Sequence, residues 1–178
     1  MEENAKAPFW KPALIYGAIL GIVTVFISLV FYFLNMSTDR WTNWVSTLII
    51  LALLVYLMIQ YRKEYLGGYA SFGQIFLMVL VSAGIVATII TTVYTYLLYA
   101  VIDPGLLDQM KVMAEEKIMN NPRIPENMYD SVFERMEKTF QVSRMVRMSV
   151  IFGVVINAIL GLIIAAFLKK EEDINIPA

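Results

Sequence analysis

Cysteine and histidine are both absent from this chain. Their absence removes disulfides, thiolate metal sites and thiol nucleophiles. It also removes the commonest metal ligand and the commonest general base. Charge is scarce: 16% of the 178 residues are Asp, Glu, Lys or Arg, where a globular domain carries about 25%. The 14 basic and 15 acidic residues give a formal net charge of -1, so no basic surplus points to nucleic acid. Hydrocarbon takes the place of the missing polar groups. At 59% hydrophobic the composition lies outside that of soluble domains, which run at about 45–50% apolar.

The apolar residues are gathered into four runs, at 13–34, 41–59, 72–102 and 148–168, none of which contains Asp, Glu, Lys or Arg. A bilayer core about 30 Å thick needs roughly 20 apolar residues in a helix to cross it. A soluble core helix would instead show a polar face at a period near 3.6. Aromatic residues suited to the headgroup level flank the runs: Phe9 and Trp10, Trp41 and Trp44, Tyr61 and Tyr65. The first run exceeds a signal-peptide core of about 7–15 residues, and Asn35-Met36-Ser37-Thr38 after it offers no small-x-small cleavage site. It is read as a retained anchor. The fold class expected is therefore all-α integral membrane, a single four-span domain over residues 1–178.

The third run is too long for a simple crossing, at about 46 Å for about 1.5 Å per residue. It must tilt, or leave the membrane as a continuous helix; a crossing of about 20 residues from Phe72 ends near Thr91. Tyr94, Tyr96 and Tyr99 favour emergence. Ser71-Phe72-Gly73-Gln74 fits a capping box at its start, and Gly67-Gly68 reads as the preceding turn.

Residues 103–147 are expected to form an amphipathic helical hairpin outside the membrane, joining the third and fourth spans. Asp103-Pro104 reads as an N-cap followed by a proline at N1. Leu107, Met110, Ala114 and Ile118 then share a face, and Asn120-Asn121-Pro122 ends that helix. A second helix starts at Pro125-Glu126, with Tyr129, Phe133, Met136 and Phe140 on one face and Glu134 and Lys138 paired on the other. It is expected to run without interruption into the fourth span. Seven of the 11 methionines lie in 110–148. Such faces suit adaptable binding, although packing on each other or on the membrane interface is the simpler reading.

Four spans put both termini on one side of the membrane. Short segments on that side carry Lys6, Lys11, Arg62, Lys63, Lys169 and Lys170, while the short loop opposite carries Arg40. The positive-inside rule places both termini in the cytoplasm. The seven basic residues of 103–147, with Arg144 and Arg147 abutting the fourth span, run against it.

Polar and small residues inside the spans fall into three stripes. Gly17 and Gly21 lie on the first span, continued by Thr24 and Ser28. Gly84 and Thr88 lie on the third, with Thr91 and Thr95. Gly153, Asn157 and Gly161 lie on the fourth. The composition is that of helix–helix interfaces in membranes, and these residues are the helix-packing candidates; a solute pathway lined by Asn157 and the threonines is the competing reading. An unpartnered amide in hydrocarbon is costly, so Asn157 is expected to bond across to another span.

The stretch Tyr61-Arg62-Lys63-Glu64-Tyr65-Leu66-Gly67-Gly68-Tyr69-Ala70-Ser71-Phe72-Gly73-Gln74-Ile75-Phe76, leading into the long third span, resembles a bacterial membrane family common in Bacteroidetes, the domain of unknown function numbered forty-one ninety-nine. The resemblance covers about 10–168. It implies an uncharacterised multi-pass inner-membrane protein, and it brings no catalytic residues. No catalytic, cofactor or metal site is expected. The acidic residues Glu115, Glu116, Glu126 and Glu134 read as the solvated faces of their helices. The expected function is non-enzymatic, an interaction or structural component whose partners are the lipid bilayer and a membrane protein or further copies of the chain. An oligomeric carrier or channel subunit for a neutral or apolar small solute is the alternative.

Overall fold

Helix α1, Trp10–Phe33, begins one turn before the uncharged run, with Pro12 in its first turn, where a missing N–H costs nothing. The computed structural model describes residues 9–37 and 39–170, so Lys6 of the orientation count lies outside the described residues. Helix α1 ends in a Schellman motif. Asn35 takes the left-handed conformation, at φ 56, while Met36 N–H donates to Phe31 O at 2.9 Å and Asn35 N–H to Tyr32 O at 3.0 Å. Helix α2, Arg40–Tyr65, carries Arg62 and Lys63 in its last turn, where cations complement the helix dipole. Gly67 and Gly68, at φ 62 and φ 91, make the turn expected of them.

Helix α3 occupies Phe72–Ile102. Its capping box is present in full: Gln74 N–H donates to Ser71 Oγ at 3.3 Å and Ser71 N–H to Gln74 Oε1 at 2.8 Å. It is not α-helical throughout. Phe72–Val79 and Thr88–Leu97 are α, whereas Leu80–Ala87 and Leu98–Ile102 are π. Helix α4 is Gly105–Met119, and α5, Tyr129–Thr139, follows a 3₁₀ turn at Glu126–Met128. Helix α6 is Val142–Leu168.

The protein is thus all-α, with four helices (α1, α2, α3 and α6) long and apolar enough to cross a membrane. A protein of this kind should stay in the pellet when membranes are washed with alkaline carbonate, and immunoblotting of the two fractions checks it; release into the supernatant would contradict the four spans.

The chain divides into two compact units, Met1–Thr91 with Phe152–Ala178, and Thr92–Ile151. The first division falls where a crossing from Phe72 is expected to end. In the first unit the core gathers Tyr16 and Leu20 of α1, Leu54, Met58 and Tyr61 of α2, Ile75, Met78 and Val79 of α3, and Ile164 and Ala165 of α6. Helix α3 is central: half of its most apolar stretch is buried, whereas α1, α2 and α6 leave most of theirs exposed. Lipid tails are as apolar as leucine, so close packing rather than hydrophobic burial holds these helices together.

In the second unit Asp103 caps α4, its Oδ1 accepting from Leu106 N–H at 3.1 Å. Leu107 is buried and Met110, Ala114 and Ile118 are half-buried, one face as expected. The helix ends at Met119, and Asn121 Oδ1 turns the chain by accepting from Arg123 N–H at 3.0 Å. Met136 is buried with Phe133 and Phe140 half-buried beside it. The Tyr129 hydroxyl ties α5 back to α4 by donating to Met119 O at 3.2 Å. Lys138 Nζ reaches Glu134 Oε1 at 2.6 Å, and that hydrogen bond, with the charge behind it, holds the Glu134 carboxyl below the usual carboxylate range.

One expectation fails here. Helix α5 does not run into the fourth span but stops at Thr139, and α6 starts afresh at Val142. Phe140, at φ -82 and ψ 6, leaves the helical region. The Thr139 hydroxyl bonds back to Arg135 O at 2.9 Å, a local competition that weakens the last turn. Gln141 O restarts the ladder by accepting from Arg144 and Met145 N–H, both at 2.9 Å.

Candidate functional site

The seven small and polar residues singled out in the spans all lie in the first unit, and α3 meets two neighbours through them. On one side stands α1. A Cβ on Gly17 would lie 2.5 Å from Val86 Cβ and 2.6 Å from Ser82 O, and one on Gly21 would lie 2.9 Å from Ile90 Cβ. All three distances are shorter than real Cβ contacts, so the helices approach here as only glycine allows. On the other side stands α6. A Cβ on Gly153 would lie 2.6 Å from Thr88 Cγ2 and 2.8 Å from its Oγ1, and one on Gly161 would lie 3.2 Å from Phe76 Cδ2. Gly84 of α3 faces Asn157, whose Cβ is 3.6 Å from where its own would be.

The polar groups along this seam turn inward to their own helices. Ser82 Oγ donates to Met78 O at 2.6 Å and Thr91 Oγ1 to Ala87 O at 3.0 Å. Thr88 Oγ1 donates to Ala83 O at 3.1 Å, five residues back, which is the offset of the π register. Asn157 departs from expectation. Its Nδ2 donates at 2.8 Å to Gly153 O, four residues back on α6 itself, not across to another span. The reason is reach. A carbonyl one turn back is already aligned with the side chain, so the amide loses little freedom in taking it.

The π segment was not foreseen. It spans Leu80–Ala87, and it is this stretch, with its run of Ser82, Ala83 and Gly84, against which α1 packs. Most π-helical turns are single insertions, frequently at functional sites. No residue pattern distinguishes an i→i+5 ladder from an i→i+4 one; the hint in the sequence was the run of small residues Ser82, Ala83 and Gly84.

At the end of the same unit α2, α6 and the α2–α3 turn are laced together. Arg62 Nη1 donates to Leu168 O at 2.8 Å, capping the carboxyl end of α6 with a guanidinium. Ala70 and Lys170 exchange two backbone bonds, each of 2.9 Å. Lys170 Nζ stands 5.3 Å from the centre of the Tyr69 ring, a cation–π contact. Among the described residues no three carboxylates gather closely enough to hold a metal ion.

A family model described as a protein of unknown function, DUF4199, matches residues 15–170. No curated protein and no solved structure matches the chain.

Proposed function

The chain belongs to the DUF4199 family of proteins of unknown function, and on that premise we propose a non-enzymatic multi-pass component of a bacterial inner membrane, of the kind found in Bacteroidetes, that works through interaction or as a structural element. The observation that supports this reading is the seam around α3. Gly17, Gly21 and Gly153 approach neighbours more closely than a Cβ would allow, and Ser82, Thr88, Thr91 and the Asn157 amide are spent on carbonyls of their own helices. Such a seam is built to hold helices together. The chain's surface for a partner is then the hairpin over residues 103–147, read as lying outside the bilayer, where Met113, Met119 and Met128 stay exposed.

The alternative is an oligomeric carrier or channel subunit for a neutral or apolar solute. The π segment at Leu80–Ala87 favours it, since such turns accompany functional sites. The two readings separate at Asn157. In this cysteine-free chain, Asn157→Cys in native membranes is expected to react slowly with a water-soluble maleimide, followed by mass shift on a gel. Rapid labelling would defeat the interaction reading and support the carrier.

Both termini are assigned to the cytoplasm on the short-segment count of basic residues. Alkaline phosphatase fused after Ala178 should accordingly be inactive and a cytoplasmic fluorescent reporter bright. Phosphatase activity would reverse the orientation and favour the seven basic residues of 103–147 as the inside charge.

A further inference from the structure

We propose that the end of the first unit at Arg62, Lys63, Lys169 and Lys170 binds the phosphate of an anionic phospholipid headgroup. Four observations converge there. Arg62 uses Nη1 on Leu168 O, while its Nε is buried and has no acceptor. Lys169 follows Leu168 directly, so its backbone lies one residue, about 3.8 Å along the chain, from the residue Arg62 caps. The paired bonds between Ala70 and Lys170 bring a further cation to the α2–α3 turn. Finally, the ion pairs of the described residues are Lys111–Asp108 and Lys138–Glu134, both in the other unit, so none of the four cations is matched by a described carboxylate.

Depth agrees with charge. Arg62 closes the second span and Leu168 the fourth, and two crossings separate them, so both ends stand at the same face of the bilayer, at headgroup level. The exposed ring of Tyr69 beside Lys170 belongs at that level too. With Nη1 engaged and Nε buried, the guanidinium keeps the donors of Nη2 for a phosphate, and ammonium groups around it add charge without directional demand. The lipid phosphate is the anion always present there. The acidic residues Glu171, Glu172 and Asp173 of this same chain are the competing occupant. The bilayer supplies lipid phosphate at high local concentration along this whole face, and truncation of the acidic segment separates the two occupants.

This inference is independent of the interaction reading, because it rests on the loop end and not on the seam or the hairpin. The test uses the purified full chain in detergent, titrated with phosphatidylglycerol, phosphatidylcholine or inorganic phosphate, with thermal stability and native mass spectrometry as readouts. Phosphatidylglycerol should raise the melting temperature and remain bound, and the other two should not. Lys169→Gln and Lys170→Gln, at exposed positions, should each weaken retention on the order of fivefold; the unliganded melting temperature should stay put in Lys169→Gln and fall slightly in Lys170→Gln, which also loses the Tyr69 contact. Arg62→Gln should weaken it more, and it also lowers the unliganded melting temperature through loss of the Leu168 cap. Equal binding of both lipids, an equal shift from inorganic phosphate, or unchanged retention in the two lysine variants would overturn the proposal. So would a phosphatidylglycerol preference that appears only after truncation at Lys170, which would make the acidic segment the native occupant.

Discussion

Gly17→Leu is expected to cost the protein on the order of 3 kcal/mol, at the upper end of the range for overpacking, and to lower its accumulation in membranes sharply. The Cβ alone would lie 2.5 Å from Val86 Cβ and 2.6 Å from Ser82 O. One of those neighbours is backbone and the other is the branch point of a β-branched side chain, so neither can swing away. The helices must separate, and the contact of α1 with the π segment, the most extensive between any two elements, goes with them. Gly21→Ala should be milder, since it adds one methyl whose shortest contact, to Ile90 Cβ, is 2.9 Å and involves no backbone atom. Gly73→Ala serves as the control. Nothing lies within 4 Å of its missing Cβ, so an added methyl in this first turn meets no neighbour and stability should be kept. Thermal unfolding of the detergent-purified variants, followed by tryptophan fluorescence, checks the order; a Gly17→Leu variant as stable as Gly73→Ala would contradict the close packing seen here.

Which features could be read beforehand follows from how local their causes are. The four spans were legible because each depends only on a run of residues without charge. Ser71 with Gln74, Asp103 before Pro104, and the stop at Asn120 were legible because a cap involves side chains three or four positions apart. The Met-rich faces of α4 and α5 followed from a 3.6-residue period. Features whose causes span the chain were not legible. Nothing near Arg62 announces that it will cap Leu168, 106 residues away. The glycine stripes showed that close approach was allowed but not which helix would approach. That Gly17 meets Ser82 and Val86, and Gly153 meets Thr88, depends on the rotation of whole helices. The π register of Leu80–Ala87 belongs to the same class, because its hydrogen bonds carry no residue signature. The break at Phe140 was missed for a different reason: Thr139, Phe140 and Gln141 are all tolerated in helices, and no residue among them marks a stop.

The contact between Gly153 and Thr88 gives the sharpest single check on how α3 and α6 of the first unit meet. A methyl group at 153 would sit 2.6 Å from Thr88 Cγ2 and 2.8 Å from Oγ1. Thr88 cannot easily rotate out of the way. It is β-branched and buried, with 6% of its surface exposed, and its hydroxyl is engaged with Ala83 O. Gly153→Ala alone should therefore cost about 1–3 kcal/mol. Thr88→Ala alone should cost less, because the Ala83 carbonyl keeps its place in the helix and only a small cavity opens at Gly153. Combining them should cost less than the sum, since the methyl at 153 then occupies the space that Cγ2 and Oγ1 vacate. The expected coupling is favourable by about 1–2 kcal/mol, within the range for residues in direct contact. Asn157→Leu, four residues along the same face, should cost about 0.5–1.5 kcal/mol, the net range for one hydrogen bond, because the amide bonds Gly153 O on its own helix. Melting temperatures of the two single variants and the double variant in one detergent complete the cycle, and additive losses would mean that the helices do not meet at this pair.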